Sequence, residues 1–481
     1  MKSFEDRPNP PPCIPSGRFS FRPMRAQLAA TAAAAIATAG FGSAAQPNPE
    51  EMLRSFYTEA LVHGQAYGHL SELVSRFPGR LSGSDNLDGA VDWASALLGA
   101  MRLDRVIRQP VMVPHWKRGA AESVSIALES GDEPLSATAL GGSGATPAGG
   151  IIAEVVRVRS LDELDILGGG VAGKIVFFDG AMDPGIVNSG AAYGMAGLQR
   201  NRGPAKAAAY GAVAALVRSL TFARDDVPHT GVTVFVPGHP VIPAAALSML
   251  AADRLDTALA AQPRVRVRIA IHAETLPPAP SANVIGEIRG SEFPDQILLV
   301  GGHLDSWDIA PGAQDDGAGV VESIEVLRLF QALNIKPRHT LRCVLFVNEE
   351  NGSAGANAYA AAARAGVERH LVAVETDNGG NGAHGFTLDN LRHDAAARAQ
   401  RWIPLFAPYG VSYFDAGTPG ADVAPLAPLG VTVGELRPDS QRYFDYHHTR
   451  TDSLDKVNPR ELEMGAAALA SLLWLVDAEG I

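Results

Sequence analysis

The chain has 481 residues, of which 46% are hydrophobic and 19% are charged. This is the composition of a folded globular protein, so it excludes a disordered, collagen-like or coiled-coil chain. The 40 basic and 52 acidic residues give a formal net charge of −12, so no excess of basic residues argues for binding to nucleic acid or to an anionic membrane. With only two cysteines, Cys13 and Cys343, the chain has neither a disulfide framework nor a cysteine-rich zinc module. Any metal site must therefore be built from His, Asp and Glu.

The first 45 residues have the layout of a secretory signal peptide. Three arginines between positions 18 and 25 precede an alanine-rich run over residues 28–39. Ser43-Ala44-Ala45 then forms a small-residue cleavage site, so we expect cleavage before Gln46 and a periplasmic or secreted protein. The alanine-rich run is too short to span a bilayer. An alanine-rich helix and a mitochondrial transit peptide are the alternative interpretations.

Beyond the signal peptide, the hydrophobic pattern of the sequence changes along the chain. Apolar residues at helical spacing predict helices over residues 50–110. Short apolar stretches separated by Gly and Pro then predict a separate α/β insert at 120–275. At roughly 150 residues per domain, the length fits one large domain with an insertion. We therefore expect residues 46–119 and 276–481 to form one domain that the insert interrupts.

Several elements of the insert are predicted individually. Residues 151–158 and 232–236 are apolar enough for strands, and the alanine-rich residues 243–250 predict a helix. Pro277-Pro278-Ala279-Pro280 then favours a linker out of the insert.

From residue 283 onward, strands alternate with helices. This alternation predicts an α/β fold with a mixed, mostly parallel sheet and helices on both faces. Residues 340–347 contain almost no polar side chain, as expected for a strand that is covered on both faces. In such sheets the functional site lies beyond the carboxyl ends of the strands.

Five polar clusters stand out, and four of them follow a predicted strand or begin a predicted helix. They are Gly301–Asp305, Asp315–Gly317, Asn348–Glu350, Glu375–Asp377 and His447–Asp452. Taken singly, each cluster has a structural interpretation as a turn, a helix cap or a solvated loop. Together they bring several carboxylates to one rim, where like charges repel unless cations neutralise them. Zinc accepts both imidazole nitrogen and carboxylate oxygen, so the clusters predict a site for a pair of divalent cations.

The order and spacing of these clusters resemble the M28 family of co-catalytic dizinc peptidases. Residues 80–84, 114–119 and 302–308 also resemble members of this family, and the resemblance covers essentially the whole chain after the leader. It implies a dizinc exopeptidase-like catalytic domain in which the insert is a protease-associated domain. It also implies a peptide substrate and a homodimer.

The resemblance implies a ligand set for two Zn²⁺ ions per chain. The implied ligands are His303 and Asp377 for one zinc, Glu350 and His448 for the other, and Asp315 as a bridge between both. His448 fits better than His447, because a hydroxyl residue and then an aspartate follow it at the family's spacing.

Three further residues are expected to act in catalysis. Glu349 is the predicted general base, since a carboxylate beside the metals can take a proton from the attacking water and pass it to the leaving amine. Zinc lowers the pKa of bound water toward about 7, and the zinc-bridging hydroxide would attack the scissile carbonyl. Asp305 is expected to orient His303 through its second ring nitrogen. His447 stands where relatives often carry a tyrosine that assists the reaction, and simple packing is the alternative role for it.

The favoured function is a zinc-dependent exopeptidase, an aminopeptidase or dipeptidase, that acts on dipeptides or short peptides. Because the rim is rich in carboxylates, we expect a preference for substrates with a free α-amino group. Three alternatives stay open: a dizinc deacylase or aminoacylase-like amidohydrolase of the same fold, a glutamate-carboxypeptidase-type activity, and a binding protein without catalysis. The complete ligand set argues against the last of these.

Overall fold

A computed structural model describes residues 48–262, 264–390 and 394–481. The predicted signal peptide lies outside this part of the chain. Within it, no helix is both long and apolar enough to cross a membrane.

The regular elements are numbered in chain order. The helices are α1 (Pro49–His63), α2 (Ala66–Arg76), α3 (Asp85–Ala100), α4 (Leu161–Leu167), α5 (Ser189–Ala209), α6 (Met249–Ala261), α7 (Ala318–Ala332), α8 (Ala354–Ala365), α9 (Ala395–Ala399), α10 (Ile403–Phe406), α11 (Tyr443–Tyr446) and α12 (Pro459–Glu479). The strands are β1 (Arg105–Lys117), β2 (Ser123–Ile126), β3 (Glu133–Leu135), β4 (Ala137–Ala139), β5 (Ile151–Val158), β6 (Ile175–Phe178), β7 (Ala214–Arg218), β8 (Ala244–Leu247), β9 (Arg266–Ala270), β10 (Glu274–Ile288), β11 (Phe293–His303), β12 (His339–Phe346), β13 (Arg369–Glu375), β14 (Ala383–Asp389), β15 (Tyr413–Asp415) and β16 (Thr432–Pro438).

The first sheet of the described chain has the strand order β1-β10-β12-β11-β13-β16-β14-β15. Its central strands β12, β11, β13 and β16 run parallel to one another, while β1, β10 and β14 join by antiparallel pairing. Apolar side chains of α1, α2, α3, α7 and α12 bury one face of this sheet, and α8 packs on the other face. The predicted mixed α/β class with helices on both faces is therefore confirmed.

A second sheet lies entirely within residues 123–270. Its strand order is β3-β2-β9-β5-β6-β7-β8-β4. Its apolar side chains form two clusters, one of which also includes Leu81, Trp116 and Trp307 from outside the sheet. The chain enters this sheet from β1 and leaves it into β10. These two long strands pair antiparallel from Arg105 opposite Glu287 to Lys117 opposite Glu274, so they form a ribbon that connects the two sheets.

The predicted linker at 277–280 is wrong, because these residues belong to β10. Strand β12 pairs only with residues 284–288 of β10, so the prolines interrupt no hydrogen bond to β12. The helical prediction over 50–110 also runs too far, since β1 begins at Arg105.

Two predictions inside the insert are wrong as well. Residues 244–247 form the buried strand β8 between β7 and β4, and helix α6 begins only at Met249. Alanine favours helices, but burial in a sheet overrides that weak preference. Residues 232–236 form no strand, and Val232 makes only an isolated bridge with Gly141.

Candidate metal centre

The parallel strands of the first sheet deliver the predicted site residues to one edge. His303 is the last residue of β11. Glu350 follows the end of β12 by four residues, and Asp377 follows β13 by two. Asp315 lies in the turn that leads into α7, and its peptide bond to Asp316 is cis. These side chains meet because neighbouring parallel strands end on the same side of a sheet.

The five predicted ligands form one cluster with Asp315 at its centre. His303 Nε2 is 3.3 Å from Asp315 Oδ1 and 3.5 Å from Asp377 Oδ1. His448 Nε2 is 3.3 Å from Asp315 Oδ2 and 3.1 Å from Glu350 Oε2. Asp315 thus directs one carboxylate oxygen toward each histidine, and each histidine has one further carboxylate beside it.

Several polar atoms of this cluster are buried without a hydrogen-bond partner in the described chain. They are His303 Nε2, Asp315 Oδ2 and Asp377 Oδ1. Buried polar atoms without partners are rare in folded proteins, so their convergence needs an explanation. Imidazole nitrogens and carboxylate oxygens at this spacing fit a pair of divalent cations. Among the described residues, two sets of potential ligand atoms lie within 4.8 Å of one another: Asp315 with His447 and His448, and His303 with Asp316 and Asp377.

Asp316 belongs to the second set by distance, but its oxygens are occupied. Its Oδ2 accepts from the main-chain N–H of His303 at 2.9 Å, and its Oδ1 accepts from that of Gly319 at 3.0 Å. Asp316 therefore links the end of β11 to the first turn of α7.

Burial and close neighbouring charges shift the pKa values of the predicted ligands. Burial and the neighbouring Asp315 raise the pKa of Glu350 well above its usual range. Burial lowers the pKa of His448 well below its usual range, so this ring is neutral, as a metal ligand must be. Burial also opposes a charged His303, but Asp377 and Asp315 outweigh it and raise the pKa of that ring. Bound cations would replace these protons.

The predicted general base lies beside the ligands. Burial raises the pKa of Glu349 to about 8. The side chain lines the same cavity as Glu350 and Asp377, and its carboxylate makes no hydrogen bond to the described residues. This carboxylate is therefore free to exchange a proton with a molecule in the cavity.

Asp305 contacts the second ring nitrogen of His303, as expected, and it does so through its main chain. His303 Nδ1 donates to the main-chain carbonyl of Asp305 at 3.0 Å, while the Asp305 carboxylate lies 3.8 Å away. That carboxylate instead accepts from the main-chain N–H groups of Glu349 and Glu350, at 3.1 and 3.3 Å. Asp305 therefore fixes the tautomer of His303 by its backbone and shapes the glutamate loop by its side chain.

Two buried residues that were not predicted as site residues hold the ligand loops. Arg80 is fully buried and donates to three main-chain carbonyls in residues 304–312 at 2.7 to 3.0 Å. Asp452 accepts from the main-chain N–H groups of Gln314 and Asp315, at 2.7 and 3.1 Å. Both lie in segments that resemble the family, which is the only sequence signal that pointed to them.

The second-sheet segment holds the two histidines from the opposite side. His229 Nδ1 donates to the main-chain carbonyl of His447 at 2.8 Å, and the Thr230 N–H donates to that of His448 at 3.0 Å. The rings of His447 and His448 stack with centroids 3.5 Å apart. His447 Nε2 is 3.4 Å from Asp315 Oδ2, so the structure places His447 within the cluster. No signal in the sequence pointed to His229 or Thr230.

The cluster opens into a cavity of about 310 Å³. Its lining carboxylates are Asp315, Glu349, Glu350, Asp377 and Glu435. Tyr193 and Arg200, both on α5, also line the cavity, and Arg200 is the one arginine or lysine among the lining residues. The cavity is therefore small and strongly acidic, with a single cation on the wall that the second-sheet segment contributes.

Known proteins resemble this chain over most of its length. Residues 283–473 match the profile described as Peptidase family M28. Carboxypeptidase Q of Bos taurus is 33% identical over 423 residues, which cover 86% of each protein. A crystal structure of a peptidase M28 precursor from Shewanella amazonensis SB2B has 36% sequence identity and a TM-score of 0.85, over 89% of this chain and 96% of that one. A zinc aminopeptidase from Bacillus subtilis shares the fold, with 18% identity and a TM-score of 0.62 over 85% of this chain and 94% of that one.

Proposed function

The chain belongs to peptidase family M28, and from that premise we propose that it is a zinc-dependent exopeptidase that hydrolyses dipeptides or short peptides. The family resemblance of the sequence motifs is confirmed by these relatives. The observation that carries the finer proposal is the position of Asp315, whose two oxygens face His303 and His448 separately. A carboxylate placed between two imidazoles in this way is suited to bridge two metal ions.

We assign two Zn²⁺ ions to the cluster. His303 and Asp377 would hold one ion, Glu350 and His448 the other, and Asp315 both. The set of nitrogen and carboxylate ligands supports zinc. Bound zinc supplies Lewis acidity toward the scissile carbonyl and lowers the pKa of water toward about 7.

Glu349 acts as the general base in this proposal. Its carboxylate takes a proton from the water that attacks the scissile carbonyl, and then delivers that proton to the leaving amine. Support comes from its position in the cavity, from its freedom from hydrogen bonds to the described protein, and from burial, which raises the pKa of Glu349 to about 8. His303 and His448 would be neutral ligands through Nε2 when zinc is bound, since the Nδ1–H group of each ring donates to a main-chain carbonyl.

The cavity supports a short substrate with a free α-amino group. Its volume of about 310 Å³ accommodates a dipeptide far more readily than a folded chain. The acidic lining attracts an ammonium group, and a charge-assisted hydrogen bond contributes about 1.5–3 kcal/mol. Loss of that bond would slow cleavage by roughly ten- to a hundredfold.

Two further parts of the proposal concern assembly. We assign residues 120–275 to a protease-associated domain, which is supported by the separate sheet of residues 123–270. We also propose a homodimer, which is supported by exposed hydrophobic side chains on this segment, including Val187, Met195 and Val236. Sedimentation analysis of the purified protein tests the dimer, and a monomer at micromolar concentration would contradict it.

Hydrolysis of a small substrate panel tests the function. The panel contains a free dipeptide, its N-acetyl form and its C-terminal amide, each with and without a chelator. Loss of cleavage on N-acetylation with tolerance of the amide identifies an aminopeptidase, and loss with either block identifies a dipeptidase. Faster cleavage of the N-acetylated form would overturn the proposal in favour of a deacylase or carboxypeptidase. Full activity of metal-stripped protein in chelator would overturn the zinc assignment.

A further inference from the structure

Helix α5 brings an aromatic side chain from the second-sheet segment against the metal cluster. The Tyr193 ring meets the His447 ring edge to face, with centroids 5.0 Å apart, and stacks on Phe444 at 4.6 Å. His447 Nε2 is in turn 3.4 Å from Asp315 Oδ2. Tyr193 lines the same cavity as Glu349 and the metal ligands. The His447 ring thus lies between the Tyr193 side chain and the predicted bridging carboxylate of Asp315.

The hydroxyl of Tyr193 makes one hydrogen bond within the described residues, and in it the hydroxyl oxygen is the acceptor. Arg200 Nη2 donates to the Tyr193 oxygen at 2.5 Å. Within the described residues, the phenolic hydrogen has no acceptor of its own. Because the guanidinium occupies the oxygen as an acceptor, the O–H hydrogen remains available to a molecule in the cavity.

Arg200 is itself fixed in place. Its Nη1 donates to the Thr230 carbonyl at 3.2 Å, and its guanidinium packs against Gly231, where an added Cβ would lie 2.3 Å from Arg200 Cζ. The side chain is only 7% exposed, and its Nε has no hydrogen-bond partner in the described chain. The guanidinium therefore holds the phenol oxygen in a defined position and polarises its O–H bond.

The charge of the cavity lining suits the Tyr193 O–H group to act as a hydrogen-bond donor. The lining of the cavity also carries carboxylates, which accept hydrogen bonds and repel a developing negative charge. Burial raises the pKa of Tyr193, so the phenol keeps its proton at neutral pH. A neutral, preorganised donor is the kind of group that stabilises an oxyanion.

We propose that Tyr193 is a catalytic residue that donates its O–H hydrogen bond to the carbonyl oxygen of the scissile bond as that oxygen becomes negatively charged. Arg200 is the positioning residue. The water oxygen bonds to the carbonyl carbon, the π electron pair moves onto the carbonyl oxygen, and the water proton goes to Glu349. The C–N bond then breaks as that proton passes to the leaving nitrogen, and Tyr193 keeps its own proton throughout. The inference rests on the proposed peptidase function.

Tyr193→Phe is the test, because it keeps the ring that packs on Phe444 and His447 and removes only the hydroxyl. In the zinc-loaded protein we expect kcat to fall about 10²–10³-fold, as for the loss of one oxyanion donor, with KM changed less than threefold. Zinc content and melting temperature should stay at wild-type values. Tyr210→Phe is the matched control, since its hydroxyl donates to Asp165 on the exposed surface, and its kcat should not change.

A double-mutant cycle tests the positioning role. Arg200→Lys alone should lower kcat, whereas in the Tyr193→Phe background it should lower kcat no further, because its effect passes through the hydroxyl. Equal losses in both backgrounds would overturn the positioning role of Arg200.

A second readout is independent of turnover. A phosphinic pseudo-dipeptide, whose tetrahedral oxygens imitate the oxyanion, should bind Tyr193→Phe at least tenfold more weakly than Tyr210→Phe in calorimetry. Equal affinities, or a kcat within threefold of wild type, would overturn the role of Tyr193 and leave the peptidase proposal standing. If wild type cleaves no member of the substrate panel, the peptidase proposal fails, and the affinity comparison alone then decides whether Tyr193 is an oxyanion donor.

Discussion

Replacing Glu349 by glutamine separates the roles of two adjacent glutamates. The Glu349 carboxylate makes no hydrogen bond to the described protein, so the amide should disturb neither the fold nor the metal cluster. Glu350 differs, since its Oε1 accepts from the main-chain N–H of Trp307 at 3.1 Å and its Oε2 lies 3.1 Å from His448 Nε2. Glu350→Gln is therefore the matched control, with the same chemical change one residue along.

The expected magnitude follows from the role of a general base. Removing such a group costs about 10²–10⁴-fold in rate, or roughly 3–5 kcal/mol of activation free energy. Because Glu349 is placed to act on the proton and not on substrate binding, kcat should carry the loss and KM should change by less than about threefold. Glu350→Gln should lose activity together with one equivalent of metal.

The assay combines dipeptide hydrolysis near neutral pH with elemental analysis and thermal unfolding of the same samples. Glu349→Gln should contain wild-type zinc and melt at the wild-type temperature. A fall in kcat of less than about tenfold in a fully metal-loaded Glu349→Gln sample would refute the assignment. So would the loss of a metal equivalent, because Glu349 would then be a ligand.

Three further outcomes follow from the structure. Purified protein should contain close to two zinc equivalents, and Asp315→Asn should weaken both sites together in elemental analysis, whereas loss of one ion only would contradict the bridge. Arg80→Met should lower the free energy of unfolding by about 3 kcal/mol or more in urea titration, because three buried carbonyls lose a donor and each such loss costs about 1–3 kcal/mol; a change under 1 kcal/mol would show that the loop relaxes. Burial raises the pKa of Glu322 from 4.5 to about 8, so the stability that goes with its proton is present below pH 4.5 and is lost as pH rises through 8. At pH 8.5 the free energy of unfolding of Glu322→Gln should therefore exceed that of wild type by on the order of 5 kcal/mol, and near pH 4 the two should unfold at the same urea concentration.

Four of the five predicted metal ligands could be proposed from the sequence because each stands beside a local signal. His303, Glu350 and Asp377 lie at or just after the ends of apolar runs that predict buried strands, and Asp315 precedes a predicted helix. A parallel sheet gathers the ends of its strands at one edge, so knowledge of the fold class was enough to predict that these residues meet. The order of the motifs then pointed to the family.

Only the tertiary structure decided which residues support and surround those ligands. Arg80 reaches carbonyls more than 220 positions away, and His229 holds the main chain of His447 across 218 positions. Tyr193 lies on a helix composed mostly of alanine, glycine and polar residues, with no cluster of metal-binding or catalytic residue types. Its contact with His447 arises because the β1–β10 ribbon connects the second sheet to the first, and no pattern within α5 encodes that arrangement.

Strand β8 and the proline-rich start of β10 also show that tertiary packing can override a local sequence preference. Alanine and proline have local preferences that favour a helix and a linker, and both preferences amount to a few kcal/mol at most. Burial between neighbouring strands in one case, and pairing with β1 on one side in the other, outweigh them. The sequence alone thus determines the chemistry at the ends of strands, where the signal is local. Long-range packing determines which side chains complete the site, because their partners are distant in sequence and are selected by shape and burial.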